Sequence, residues 1–218
     1  MLYDKELNEV KNKIKTIGLN IVESNSLILK ALENCDAKVF DEAKSKLKNM
    51  SGKTSEIDND IIKILALYSP EAKDLRQVVS YLKITNELNR ASTNTRSFIK
   101  GFTEVCSSID ANIVKEYAIP MQKSTVKGIS NSISMLDMNC EDELRDMFND
   151  VLIQENKTGD LYEIVEKNLF AQADKSIEFE KFHNMLKALR KSGKIADRAV
   201  SIAQLILYIN VGGDLKVK

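Results

Sequence analysis

The chain has 218 residues, in which 32 Lys and Arg balance 32 Asp and Glu, with 8 Gly, 2 Pro, 1 His and no Trp. Zero net charge removes the basic footprint that non-specific nucleic-acid binding needs, and so few Gly and Pro cannot supply the turns of a sheet protein of this length. A mostly helical globular chain with few, long elements is expected; no apolar run approaches the roughly 20 residues of a membrane span, and the charged opening MLYDKELNEV does not read as a signal peptide.

Residues 4–34 place Leu7, Val10, Ile14, Ile17, Ile21, Ile28 and Ala31 at helical spacing, which predicts an amphipathic rod about 45 Å long. A second helix is expected over Asp36 to Tyr68, carried by Val39, Ala43, Leu47, Ile57, Ile61 and Ile64, with a bend at Ser51 and Gly52. Ser69 and Pro70 end it, and Pro70 suits the first turn of a third helix, expected to run to Thr103 with an interruption near Gly101. A second trio follows over Ile109 to Leu136, Cys140 to Phe170 and Asp174 to Ile209. Short connections make neighbouring helices antiparallel.

The sequence also repeats. Ser24-Asn25-Ser26 followed by Asn34-Cys35 is echoed by Ser130-Asn131-Ser132 followed by Asn139-Cys140, a shift of about half the chain. The expected fold is therefore all-α, six long helices in two tandem three-helix bundles, residues 1–106 and 107–218. Phe98, Phe102, Leu205 and Leu207 are apolar positions left over for a symmetric homodimer.

Signals for chemistry are weak. Glu180-Lys-Phe-His183 has the Glu-x-x-His spacing of helical di-iron sites, but His183 is the only histidine, so a symmetric site cannot be built. Three cysteines, Cys35, Cys106 and Cys140, are odd in number and lack a CxxC pair, which argues for packing roles in a reducing, cytoplasmic compartment. Two acidic series, Glu56, Asp58, Asp60 and Asp142, Asp146, Asp150, could hold a hard cation, but a solvated face paired with Lys or Arg is the commoner outcome. No nucleotide-cradling glycine motif occurs. An enzyme is not expected; a metal-dependent one would have to use Asp142, Asp146, Asp150 or Asp197.

The densest pattern is Pro70-x-Ala72-x-Asp74-Leu75-Arg76-x-Val78-Val79-Ser80-x-Leu82-Lys83-Ile84-x-x-Glu87-Leu88-x-Arg90, with Val78, Val79, Leu82 and Ile84 on the expected buried side. This run resembles the third-helix signature of the PhoU family of phosphate-uptake regulators, and Lys194-Ile195-Ala196-Asp197-Arg198 resembles its counterpart in the second repeat. The resemblance implies two three-helix bundles and a cytoplasmic negative regulator of phosphate-responsive signalling. Its implied partners are a phosphate ABC transporter ATPase and a sensor histidine kinase, with membrane association only through them. An accessory role beside another ion or phosphate permease is the alternative.

Mixed charge at Asp74, Arg76, Lys83, Glu87, Arg90 and Arg198 marks the candidate protein-interaction surface. The resemblance also implies metal clusters held by paired acids. Here Asn89, Thr93 and Gly193 stand where carboxylates are typical, leaving Asp58 and Asp197 as the candidate ligands. Amide and hydroxyl oxygens are poorer ligands than carboxylates, so no firmly bound cofactor is expected, at most a weakly held divalent cation (Fe, Zn or Mg).

Overall fold

The computed structural model describes residues 2–171 and 176–213. In chain order it contains α1 (Leu2–Asn34), α2 (Ala37–Ser45), α3 (Met50–Tyr68) and α4 (Ala72–Val105), then α5 (Ala111–Ile113), α6 (Ile119–Ser134), α7 (Glu141–Ala171) and α8 (Ser176–Val211). The short α5 and a π-helical segment, Val114–Ala118, run directly into α6. Counted as rods, with α2–α3 and α5–α6 each taken together, these are the six long helices expected, and the fold is all-α.

The helix boundaries differ from the sequence reading where a single residue changes the backbone. The break in the second rod falls at Lys46 to Asn49, not at Ser51 and Gly52: Asn49 takes a left-handed conformation (φ 56°), which its short side chain tolerates. Gly52 lies inside the first turn of α3, where a Cβ would come within 2.5 Å of Asn49 Oδ1. Pro70 precedes α4 rather than opening it, because Ser69 in the connection and Ala72, the first residue of α4, both take positive φ. Gly101 does not interrupt α4; its missing side chain lets Ala188 of α8 pack close. The π-helical segment stands just before Pro120, which lacks the N–H that would continue a regular ladder. The expected start of the last helix at Asp174 lies outside the described residues.

The first rods run up, down and up, so α1 and α4 are parallel and finish at the same end. That brings together two cysteines far apart in sequence. Cys35 and Cys106 form a disulfide with Cα atoms 5.7 Å apart, while Cys140 is free and exposed. The expectation of three packing cysteines is thus overturned, and with it the cysteine argument for a reducing compartment. An odd count and the absence of CxxC describe spacing along the chain, and the topology, not the spacing, sets the distance.

Pairs across the halves show that they pack with antiparallel helices. Gly18 of α1 lies against Ile133 of α6, and Gln122 meets Asn25; on the other side Arg198 of α8 reaches Glu87 of α4, and Ala188 faces Gly101. The apolar interior forms two clusters stacked along the helix axes, and each draws side chains from both halves of the chain. One contains Ile14, Ile61, Ile84, Ile129 and Ile202; the other is built around Phe40, Phe98 and Phe102, with Phe98 and Phe102 stacked at 5.3 Å.

The reading of Phe98, Phe102, Leu205 and Leu207 as spare apolar positions is corrected here. The first three are buried and Leu207 packs partly buried on the same interior, because α4 and α8 face each other along their length. No described helix is long and apolar enough to cross a membrane.

Candidate protein-interaction surface

Helix α4 carries five of the six residues singled out for interaction, and the structure divides them. Glu87 and Arg198 form one ion pair across the α4–α8 seam, Nη1 to Oε2 2.8 Å, with both side chains largely withdrawn from water. Arg76 lies over the ring of Tyr208 with its guanidinium carbon 5.5 Å from the centroid, a cation–π contact on the same seam. Gly212 (φ 81°) makes room for it, since a Cβ there would meet Arg76 Nη1 at 2.6 Å. These three residues hold the halves together and are poorly placed as a free rim.

Lys83 and Arg90 are exposed. They share a stripe with Leu75 and Val79, because positions 75, 79, 83 and 90 fall on one side of a 3.6-residue helix. Leu75 is 41% and Val79 36% exposed. The sequence reading had placed Val79 inside and had not weighed Leu75. The signal was present in the i, i+4 step from Leu75 to Val79 to Lys83, but whether that side of α4 faces a neighbour depends on where α3 and α8 lie. Asp74, also exposed, flanks the stripe and sits close enough to Tyr3 to add to the burial that raises that phenol's pKa. A mixed apolar and basic strip on a rigid helix has the composition of a protein contact surface: apolar anchors with charged flanks.

Four of the acidic residues, Glu56, Asp60, Asp150 and Asp197, have structural partners. Lys13 of α1 donates to Glu56 and, at 2.8 Å, to Asp60 of α3, and these bonds raise its pKa. Asp150 of α7 accepts from Lys127 and from Asn131 of α6 and from Gln154, and the Lys127 bond leads the causes that lower its pKa. Asp197 pairs with Lys194 at 3.0 Å.

Asp58 is different: it is half-buried, its Oδ1 has no hydrogen-bond partner, and burial raises its pKa. Asn89 Oδ1 is likewise buried without a partner. The hydroxyls of Thr54 and Thr93 donate to carbonyls of their own helices, Ser51 and Asn89. This donor set contains one carboxylate, and no group of three His, Cys, Asp or Glu able to hold a metal occurs among the described residues. The metal clusters implied by the resemblance do not fit these residues.

The isolated carboxylate yields a prediction. A group whose folded pKa lies above its unfolded value favours the folded state below the unfolded pKa, and that contribution is lost as pH rises through the folded value. Asp58→Asn should therefore stabilise the fold at neutral pH and flatten the stability profile just above the ordinary carboxylate range. Chemical denaturation of both proteins between pH 4 and pH 7, about the span of that titration, checks this; a variant less stable at pH 7 would show that the charged form has an undetected partner.

Residues 14–99 match the PhoU domain family. At 22% identity over 219 residues, the chain aligns with the phosphate-specific transport system accessory protein PhoU homolog of Pseudomonas aeruginosa, covering 98% of this chain and 87% of that one. The homologue from Pseudomonas putida is 22% identical over 217 residues, with 98% and 82% covered. The crystal structure of PhoU from Pseudomonas aeruginosa superposes with a TM-score of 0.85 at 18% identity, covering 97% of this chain and all of that one. The phosphate transport system regulatory protein PhoU from Streptococcus pneumoniae gives 0.77 at 17% identity, over 99% of this chain and all of that one.

Residues 14–99 are thus a match to the PhoU domain, and the whole chain shares the fold of the PhoU structures. The PhoU domain match contains the α3–α4 connection and the whole Leu75 to Arg90 stripe, so the candidate surface lies within the part of the chain that the family describes.

Proposed function

We propose that this chain is a regulatory accessory protein of phosphate transport that acts by contact with other proteins and not by turning over a substrate. The observation that carries the proposal is the end-to-end relationship to phosphate-specific transport system accessory proteins, in sequence and in fold. In this reading the protein is cytoplasmic and homodimeric, is built as two PhoU-like units over residues 1–106 and 107–218, and lowers phosphate-responsive signalling by engaging a phosphate ABC transporter ATPase and a sensor histidine kinase. Partners meet the outer stripe of α4, with Leu75 and Val79 as apolar anchors and Lys83 and Arg90 as the basic rim.

Lys83→Glu combined with Arg90→Gln tests the reading; Arg90 also lies 3.6 Å from Glu87, so the neutral replacement there avoids placing a like charge beside the Glu87–Arg198 pair. Capture of the purified transporter ATPase or of the kinase's cytoplasmic region should fall about tenfold or more, with helix content and thermal midpoint close to the parent. Equal capture by the double variant would move the contact off this face, and no capture of either partner by the parent protein would overturn the assignment.

A further inference from the structure

Away from the α4 stripe, a groove of about 600 Å³ runs between α2 and the last turns of α4. That is within the range of small-molecule sites. Its lining includes Lys44 from α2 and Arg96, Ser97 and Lys100 from α4, with Asp41 and Glu104 also in the wall. Arg96 and Lys100 are like charges one turn apart, an arrangement that disfavours itself on a helix. Among the described residues none of the three cations forms an ion pair, although Asp41 and Glu104 stand one turn from Lys44 and Lys100. Arg96 makes only a long contact of 3.4 Å from Nη2 to Ser92 Oγ.

The walls of this groove are fixed. Behind them Phe40 of α2 packs on Phe102 of α4 with ring centroids 6.4 Å apart. The Cys35–Cys106 disulfide ties the residue before the α2 cap to the residue after α4, so both walls are joined covalently at one end. The groove is lined by three cations that form no ion pair and that outnumber its two carboxylates, and an anion with several oxygen-bearing groups could contact all three, as a single carboxylate could not. Phosphate groups meet this need: their oxygens point in several directions and suit both the planar fork of Arg96 and the point charges of the lysines.

We propose that the α2–α4 groove binds a small molecule carrying two or more phosphate groups, with Arg96, Lys44 and Lys100 as its contacts. Isothermal titration of the oxidised full-length chain with ATP and, separately, with pyrophosphate tests it. Saturable one-to-one binding is expected for at least one of them. Tighter binding of ATP identifies a ligand with an organic body, equal binding an inorganic polyanion, and either supports the site.

Arg96→Gln with Lys100→Gln should weaken binding about tenfold or more, from the loss of charge-assisted hydrogen bonds. Asp41→Asn with Glu104→Gln should strengthen it by about two- to threefold, a gain that a damaged fold cannot imitate. Absence of saturable binding by both probes, or affinities unmoved in both variants, overturns the proposal.

Discussion

Gln122→Ala is expected to lower the unfolding free energy by about 3 kcal/mol, the sum of a small cavity and of buried polar groups left without partners. Gln122 is fully buried on α6. Its Nε2 donates to the main-chain oxygen and to Oδ1 of Asn25 on α1, at 3.1 and 3.0 Å, and its Oε1 accepts from Ser192 Oγ on α8 at 2.9 Å. Asn25 Nδ2 donates in turn to Ile21 O and to Thr95 Oγ1 on α4, and Ser192 also meets Thr125 of α6 at 2.8 Å.

One side chain therefore joins three helices, and through Asn25 a fourth, across both halves of the chain. Any slip of one half against the other by a helical turn would leave several of these groups dry and unpaired, which is how a buried polar network sets register between apolar faces that could slide. Urea denaturation of the variant measures the loss. Asn25→Ala in the Gln122→Ala background should cost clearly less than Asn25→Ala alone, because the two act as one unit. A loss below about 1 kcal/mol, or strict additivity, would show that water or rearrangement replaces the network.

Reduction of the Cys35–Cys106 bond should have the second large effect. The two cysteines are separated by 71 residues, and on the chain-entropy account a closed loop of that size stabilises the folded state by about 4 kcal/mol. For a domain of this length that corresponds to a fall of about 10 °C in the thermal midpoint on adding a reductant. Cys140→Ser should show the same fall, since Cys140 is exposed and outside the bond, whereas Cys35→Ser should begin at the lower midpoint and not respond to reductant. A parent protein indifferent to reductant would mean that the bond is not formed in solution.

The candidate surface was partly legible before the structure. The run from Asp74 to Arg90 was visible as an amphipathic, charge-laced helix, but charge alone could not separate seam from rim. Arg76, Glu87 and Arg198 looked as available as Lys83 and Arg90, and they are spent on Tyr208 and on each other because α8 lies across that side of α4. Val79 was assigned inward from its apolar character and Leu75 was not weighed, yet both are exposed. The acidic series showed the same limit. Helical spacing put carboxylates in rows, and only the arrival of Lys13 and Lys127 from other helices made ion pairs of Glu56, Asp60 and Asp150.

The sequence by itself determined what depends on local pattern: an all-helical chain, the approximate extent of each rod and much of its apolar face, and the single histidine. These follow from apolar periodicity, from the supply of Gly and Pro, and from counting donors, none of which needs a partner from elsewhere in the chain. Only the tertiary structure decided what depends on distance between remote residues: the Cys35–Cys106 bond, the Asn25–Gln122–Ser192 junction, the filling of both cores by Phe98, Phe102 and Leu205, and the groove between α2 and α4. An amphipathic helix states that it has a face to bury. Which helix covers that face, and which side chains are left outside, is settled when the two halves pack.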